Sequence, residues 1–168
     1  MRVAATFLLT GLAAAPAAAA DLTVSVEIPR LAVAEYHKPY VAMWIEKPDQ
    51  SVAANLAVWY DFDMKDNEGT KWLRDLRTWW RKAGRELSFP VDGLTGATRA
   101  PGSHKQSFGA ARLKPLTPGK YNLVVEAARE VGGREIVRVP FDWPARARTT
   151  AGARGTSELG AIALDIKT

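Results

Sequence analysis

The stretch Asp92-Gly93-Leu94-Thr95-Gly96-Ala97-Thr98 brings one carboxylate and two hydroxyls together among small residues. A threonine hydroxyl is a weak nucleophile and reacts only when it is deprotonated or activated by a metal. Nothing near Thr98 in sequence forms a self-sufficient catalytic set. Hydrolytic chemistry has little support elsewhere: there is no Gly-x-Ser-x-Gly elbow, and His37 and His104 have no evident nucleophile partner. Cysteine is absent, which excludes disulfides, thiolate catalysis and Cys-ligated metals. Asp61, Asp63, Asp66 and Glu68 have a spacing suggestive of calcium. They lack the glycine and the terminal glutamate at the offsets a calcium loop requires, and read as a solvated loop leading into a helix.

The Asp92–Thr98 segment resembles the acceptor motif for covalently attached flavin mononucleotide (FMN). In that motif an Asp is followed, after two residues, by Ser or Thr, a small residue and Ala-Thr. Asp92, Thr95, Gly96, Ala97 and Thr98 occupy those places here. The resemblance implies that Thr98, the final residue, is esterified to the flavin phosphate by a separate flavin transferase whose active site the segment must enter. Gly96 and Ala97 keep the segment narrow, and Gly96 permits backbone angles closed to other residues. Asp92 leads the motif and Thr95 is suited to holding the loop by hydrogen bonding. Arg99, His104 and Lys105 follow; Arg99 is placed to pair the phosphodiester or to stabilise an anionic reduced flavin. Without modification the same residues read as a tight polar loop with Asp92 in an Asx-type turn.

The elements around this segment are mostly strands. Leu22–Ile28 alternates apolar and polar residues, as a half-buried strand does. Pro39–Glu46 is apolar on both faces and suits a central strand, and Ala54–Tyr60 returns after a turn at Lys47–Ser51. Ser103–Leu113, Lys120–Glu130, Arg134–Trp143 and Glu158–Ile166 supply further strands, with Val131-Gly132-Gly133 closing a hairpin. The exception is Lys71–Ala83. Trp72, Leu73, Leu76, Trp79, Trp80 and Ala83 recur at helical spacing, Thr70 is placed to cap the start, and Gly84 to end it. The tryptophan stripe is expected to pack on a sheet, with Trp79 or Trp80 also suited to form a wall beside an isoalloxazine ring. Together these spell an antiparallel, immunoglobulin-like β-sandwich of about seven or eight strands with one inserted amphipathic helix.

Residues 1–20 carry a short basic start, an apolar run and Ala18-Ala19-Ala20, the pattern of a secretory signal cleaved before Asp21. The run is short for a membrane span, so a periplasmic protein without a membrane-spanning segment is expected after cleavage. Asp21–Thr168 then forms one domain of ordinary size. The formal charge of +5 does not point to nucleic acid, because Lys and Arg are scattered among acids. Arg146, Arg148 and Arg154 form the only basic concentration, in a Gly/Ala/Thr-rich segment expected to be mobile.

A wider resemblance runs through the chain. It covers the aromatic helix, Asp92 to His104, Pro118-Gly119-Lys120-Tyr121, Glu126-Ala127-Ala128-Arg129-Glu130 and Gly132-Gly133-Arg134-Glu135. By these the chain resembles the predicted periplasmic proteins of domain of unknown function 2271. That resemblance implies an exported location and association with flavin transferases and PepSY-type membrane proteins of electron transport, but no particular enzymatic reaction. The resulting expectation is an exported redox carrier with FMN on Thr98. A flavin-free β-sandwich module that binds a protein or ligand through its aromatic helix is the alternative.

Overall fold

A computed structural model describes residues 21–168; the expected leader and its cleavage site lie outside the described residues. Two β-sheets face each other. The strands are β1 (Asp21–Ile28), β2 (Tyr40–Glu46), β3 (Val52–Trp59), β4 (Thr95–Gly96), β5 (Gly102–Phe108), β6 (Gly119–Ala128), β7 (Arg134–Trp143), β8 (Thr149–Arg154) and β9 (Ala161–Lys167). One sheet has the order β5-β1-β9-β8 and the other β4-β3-β2-β6-β7. All pairings are antiparallel except β3 with β4, where Val58 pairs with Thr95 and Trp59 with Gly96 in parallel. The architecture is the mainly β sandwich that the alternating patterns predict.

The alternation of each strand decides which core its residues enter. Leu22, Val24, Val26 and Ile28 of β1 meet Val41, Met43 and Ile45 of β2 and Leu123 and Val125 of β6 between the sheets. Strand β2 is buried along its whole length because its other face is covered as well. There Tyr40, Ala42 and Trp44 join Val58, Tyr60 and Val124 beneath Leu73, Leu76 and Trp79. The helical segment therefore packs on the outer face of the five-stranded sheet, which is why that sheet reads as apolar on both sides.

That segment is not the continuous helix expected over Lys71–Ala83. It consists of 3-10 turns over Lys65–Asp75, a break at Leu76 (ψ 66°) and a short helix α1, Arg77–Lys82. The break shifts the periodicity, so Leu73, Leu76 and Trp79 turn inward while Trp72 stays 47% exposed. Thr70 does not cap the segment; its hydroxyl donates to the Asn67 carbonyl at 2.7 Å. Gly84 opens a further 3-10 turn instead of ending a long helix.

Helix α1 is held by two carboxylates of the sheet beneath it, both fully buried. Glu126 of β6 accepts from the backbone N–H groups of Thr78 (3.1 Å) and Trp79 (2.8 Å), the donors left open at a helix start, and from Arg134 Nη1 at 2.8 Å. Glu46 of β2 accepts from Lys82 Nζ (3.3 Å) at the other end of the helix and from Arg138 Nε (2.6 Å). No residue local to the helix in sequence supplies these partners.

Three further boundaries differ from the sequence pattern. Ser103–Leu113 divides into β5 and a short helix α2, Ala110–Leu113. The last strand starts at Ala161, and Glu158 is drawn into a buried ion pair instead. The Arg146–Arg154 region contains strand β8, whose backbone pairs with β9 although its composition is poor in strand formers. Arg148 forks onto Asp165 (3.1 and 2.7 Å) and Arg154 reaches Glu27 at 3.5 Å.

Candidate functional site

The Asp92–Thr98 segment leads into the edge of the five-stranded sheet. Val91 turns the chain: its carbonyl accepts from Leu94 N–H (3.1 Å) and Thr95 N–H (2.9 Å), and its own N–H donates to Thr95 Oγ1 at 2.9 Å. Thr95 thus closes the turn, and the exposed Asp92 side chain has no hydrogen-bond partner among the described residues. Two main-chain bonds dock the segment on β3, from Val58 N–H to the Leu94 carbonyl (2.8 Å) and from Tyr60 N–H to the Gly96 carbonyl (2.9 Å).

The two glycines have different tasks. Gly93 has φ +69°, the left-handed region that disfavours other residues. Gly96 is needed for proximity: a Cβ there would stand 3.1 Å from Cδ1 of Trp59. The conformational freedom expected of Gly96 is used at Gly93.

Beyond Gly96 the segment parts company with its downstream charges. Thr98 is half-buried, and its Oγ1 donates to Asp61 Oδ1 at 2.9 Å. Arg99 turns to the other side, with its guanidinium 5.2 Å from the Trp59 ring centroid. The His104 ring lies edge-on to the same indole at 6.0 Å, and its Nε2 hydrogen-bonds the Ala100 carbonyl at 2.7 Å. Neither Arg99 nor His104 is among the residues that line the cavity at Thr98. Ala97 borders a separate depression of about 290 Å³ with Phe62 and Met64.

Thr98 and Asp61 open onto a cavity of about 790 Å³, within the range of small-molecule sites. Five stretches of chain converge on it. The approach to β2 contributes Tyr36, Lys38 and Tyr40; the turn after β3 contributes Asp61 and Met64. Trp72, Asp75 and Arg77 come from the helical segment, Thr98 from the end of the motif, and Arg129 to Arg134 from the hairpin between β6 and β7. Trp72, Met64 and Val131 remain exposed here and give the cavity an apolar rim. Of the tryptophans, it is Trp72 that lines the cavity with Thr98. Trp80 and Trp79 do not line the cavity: Trp79 is fully buried, donating from Nε1 to Asn55 Oδ1 at 3.0 Å, and Trp80 packs against the core beneath.

The polar chemistry of the cavity is set by burial. Desolvation pushes the Tyr40 phenol up to about 12, and its hydroxyl donates to the Gly69 carbonyl at 3.1 Å. Desolvation also raises Tyr36, against the lowering pull of the neighbouring Arg129 charge. The Arg129 guanidinium donates through Nε and Nη2 to the two oxygens of Glu158, at 2.8 and 3.1 Å, and that bond holds it more firmly charged than usual. Gly133 N–H completes the carboxylate's environment at 2.9 Å. Arg129 Nη1 and the Tyr36 hydroxyl oxygen are buried and have no hydrogen-bond partner among the described residues. Buried polar atoms without partners are uncommon in folded proteins and mark a place where a ligand or water belongs.

A planar, partly polar molecule beside Thr98 fits this donor set. The Thr98 residue lines the cavity, an indole and two phenols contribute to its walls, and Lys38 and Arg77 add positive charge. Asp61, Trp72, Tyr36 and Arg129 were not among the residues that the motif singles out. In sequence, Asp61 belongs to the acidic run after β3, Trp72 to the helical aromatic stripe and Arg129 to the end of an apolar strand, but nothing local joins them to Thr98. Among the described residues no three His, Asp or Glu side chains converge as metal ligands, and no helix is long and apolar enough to cross a membrane.

No curated protein and no solved structure matches this chain. A family model described as predicted periplasmic protein (DUF2271) matches residues 21–161, and the chain belongs to that family.

Proposed function

We propose that this protein is an exported periplasmic flavoprotein that carries FMN as a phosphoester on Thr98. In this reading it relays electrons in an extracytosolic chain with a PepSY-type membrane protein, after modification by a flavin transferase. The observation that carries the reading is that Thr98, the last residue of the segment resembling the acceptor motif, lines a cavity of about 790 Å³ with aromatic walls, two of whose lining residues carry buried polar atoms with no partner among the described residues. A covalent link suits an exported carrier because a dissociable cofactor would be lost outside the cytoplasm.

Bound FMN supplies the redox chemistry; the protein supplies position and electrostatics. Thr98 provides the ester oxygen. Before modification Asp61 orients the Thr98 hydroxyl by accepting its proton in a hydrogen bond, a bond that ends when that oxygen is esterified. Lys38 and Arg77 line the same cavity and are the cations available to a phosphoester there. Trp72, half exposed at the rim, supplies a flat apolar surface for a ring system.

Coexpression of the exported protein with an active flavin transferase tests the reading. The expected product keeps its yellow colour after denaturation, and peptide mapping places the adduct on Thr98. A colourless wild-type protein beside an active transferase leaves the flavin-free binding module as the account of the cavity.

A further inference from the structure

Two residues that line the cavity, Arg129 and Tyr36, lie outside the Asp92–Thr98 segment. Arg129 engages Glu158 through Nε and Nη2, so the Nη1 amino group is on the side of the guanidinium away from that carboxylate. Nη1 is buried with no partner among the described residues, and so is the hydroxyl of Tyr36, whose ring centroid lies 6.0 Å from Arg129 Cζ. Both residues line the cavity that Thr98 opens onto. The Arg129 and Glu158 side chains are each only 6% exposed, so this is a built, desolvated pair and not a surface charge.

The chemistry of these two groups narrows what fits between them. Nη1 offers donors only, whereas the Tyr36 hydroxyl can donate or accept. The Arg129 charge is already matched by Glu158, so a carboxylate ligand would leave a net negative charge in a desolvated site. A neutral acceptor satisfies Nη1 without that cost. An imide, with an N–H between two carbonyls, offers an acceptor to Nη1 and either a donor or an acceptor to the phenol.

We propose that Arg129 Nη1 and the Tyr36 hydroxyl form a recognition subsite for the imide edge of a planar heterocycle. Resting on the flavin reading above, that heterocycle is the pyrimidine end of the isoalloxazine ring. The two residues thus orient the ring from the end of the cavity that Thr98 does not supply.

The test uses the full exported chain made without a flavin transferase, titrated with riboflavin and followed by flavin fluorescence. Riboflavin has no phosphate, so attachment at Thr98 plays no part. Wild type should bind it, and Tyr36→Phe, with an unchanged melting temperature, should weaken binding about three- to tenfold, the worth of one hydrogen bond. Methylation of the imide nitrogen tests the same contact without changing the protein, and 3-methylriboflavin should bind wild type more weakly than riboflavin. Absence of riboflavin binding, or equal binding by Tyr36→Phe and of the methylated probe, overturns the subsite and assigns the two buried atoms to water. An adduct on Thr98 without riboflavin binding sinks this subsite alone. Riboflavin binding that responds to both changes, without an adduct beside an active transferase, sinks the covalent link alone.

Discussion

Thr98 Oγ1 donates to Asp61 Oδ1 at 2.9 Å, across 37 residues of sequence. The carboxylate fixes the hydroxyl rotor of the residue proposed above as the attachment site. Asp61 is in turn braced from behind, because Gly69 packs so closely on its carbonyl that an added Cβ would overlap it. Asp61→Ala should therefore slow flavinylation by about tenfold or more, and Asp61→Asn, which keeps an acceptor oxygen, by less. A mass-spectrometric time course with purified transferase measures both; an unchanged rate in Asp61→Ala would contradict the assignment.

The two threonines of the motif should separate cleanly. Thr98→Ala removes the ester oxygen and should abolish the adduct while leaving the fold intact, since the side chain is outside both apolar clusters. Thr95→Ala loses the hydrogen bond from Val91 N–H and should still be modified, with a loss of about 1 kcal/mol in stability. An adduct that persists in Thr98→Ala would move the attachment site.

The tryptophans should respond to substitution in opposite ways. Trp79 is fully buried, with its indole N–H bonded to Asn55 and its ring against Phe89. Trp79→Ala should cost about 3–5 kcal/mol in denaturant unfolding. Trp72 is 47% exposed, so Trp72→Ala should cost about 1 kcal/mol or less. In the loaded protein Trp72→Ala should instead change flavin fluorescence. Equal losses of stability would mean that the two indoles share one environment.

Removing the buried carboxylate under helix α1 should be severe. Glu126→Ala strips the cap from Thr78 and Trp79 and leaves Arg134 without its partner. The loss should be on the order of 3 kcal/mol, visible as a lower denaturation midpoint, with Glu126→Gln intermediate.

Acid should expose a different carboxylate. Burial pushes the Glu135 carboxyl up, but the backbone N–H groups of Thr156, Ser157 and Leu159 and the Thr156 hydroxyl outweigh it and hold the carboxyl down at about 2. A folded-state value below the unfolded one of about 4.3 stabilises the fold fully above that pH and loses its contribution as pH falls towards 2. Melting temperature should drop between roughly pH 5 and pH 2. Glu135→Gln should be less stable at neutral pH and show a shallower drop.

The strands could be read directly because their signals are local. Alternation in Leu22–Ile28 and the Gly-Gly turn before Arg134 each depend on a few adjacent residues, and the structure places strands β1 and β7 there. The doubly apolar Pro39–Glu46 correctly marks a central strand because a strand shows in its own residues whether both its faces are covered. What lay beyond local pattern was decided by packing. Lys71–Ala83 has helical spacing, but the sheet beneath anchors α1 through Glu126 and Glu46, and the chain breaks at Leu76, turning Trp72 outward. Strand β8 exists because β9 offers its edge, not because Thr149–Arg154 favours extension. The site followed the same division. The sequence contains Thr98 within a contiguous motif, but the partners around its cavity, Asp61, Trp72, Tyr36 and Arg129, come from four other stretches of chain. Only the closed fold brings them to one cavity, because a hydrogen bond such as that from Thr98 to Asp61 depends on distance in space and leaves no periodic trace in the chain.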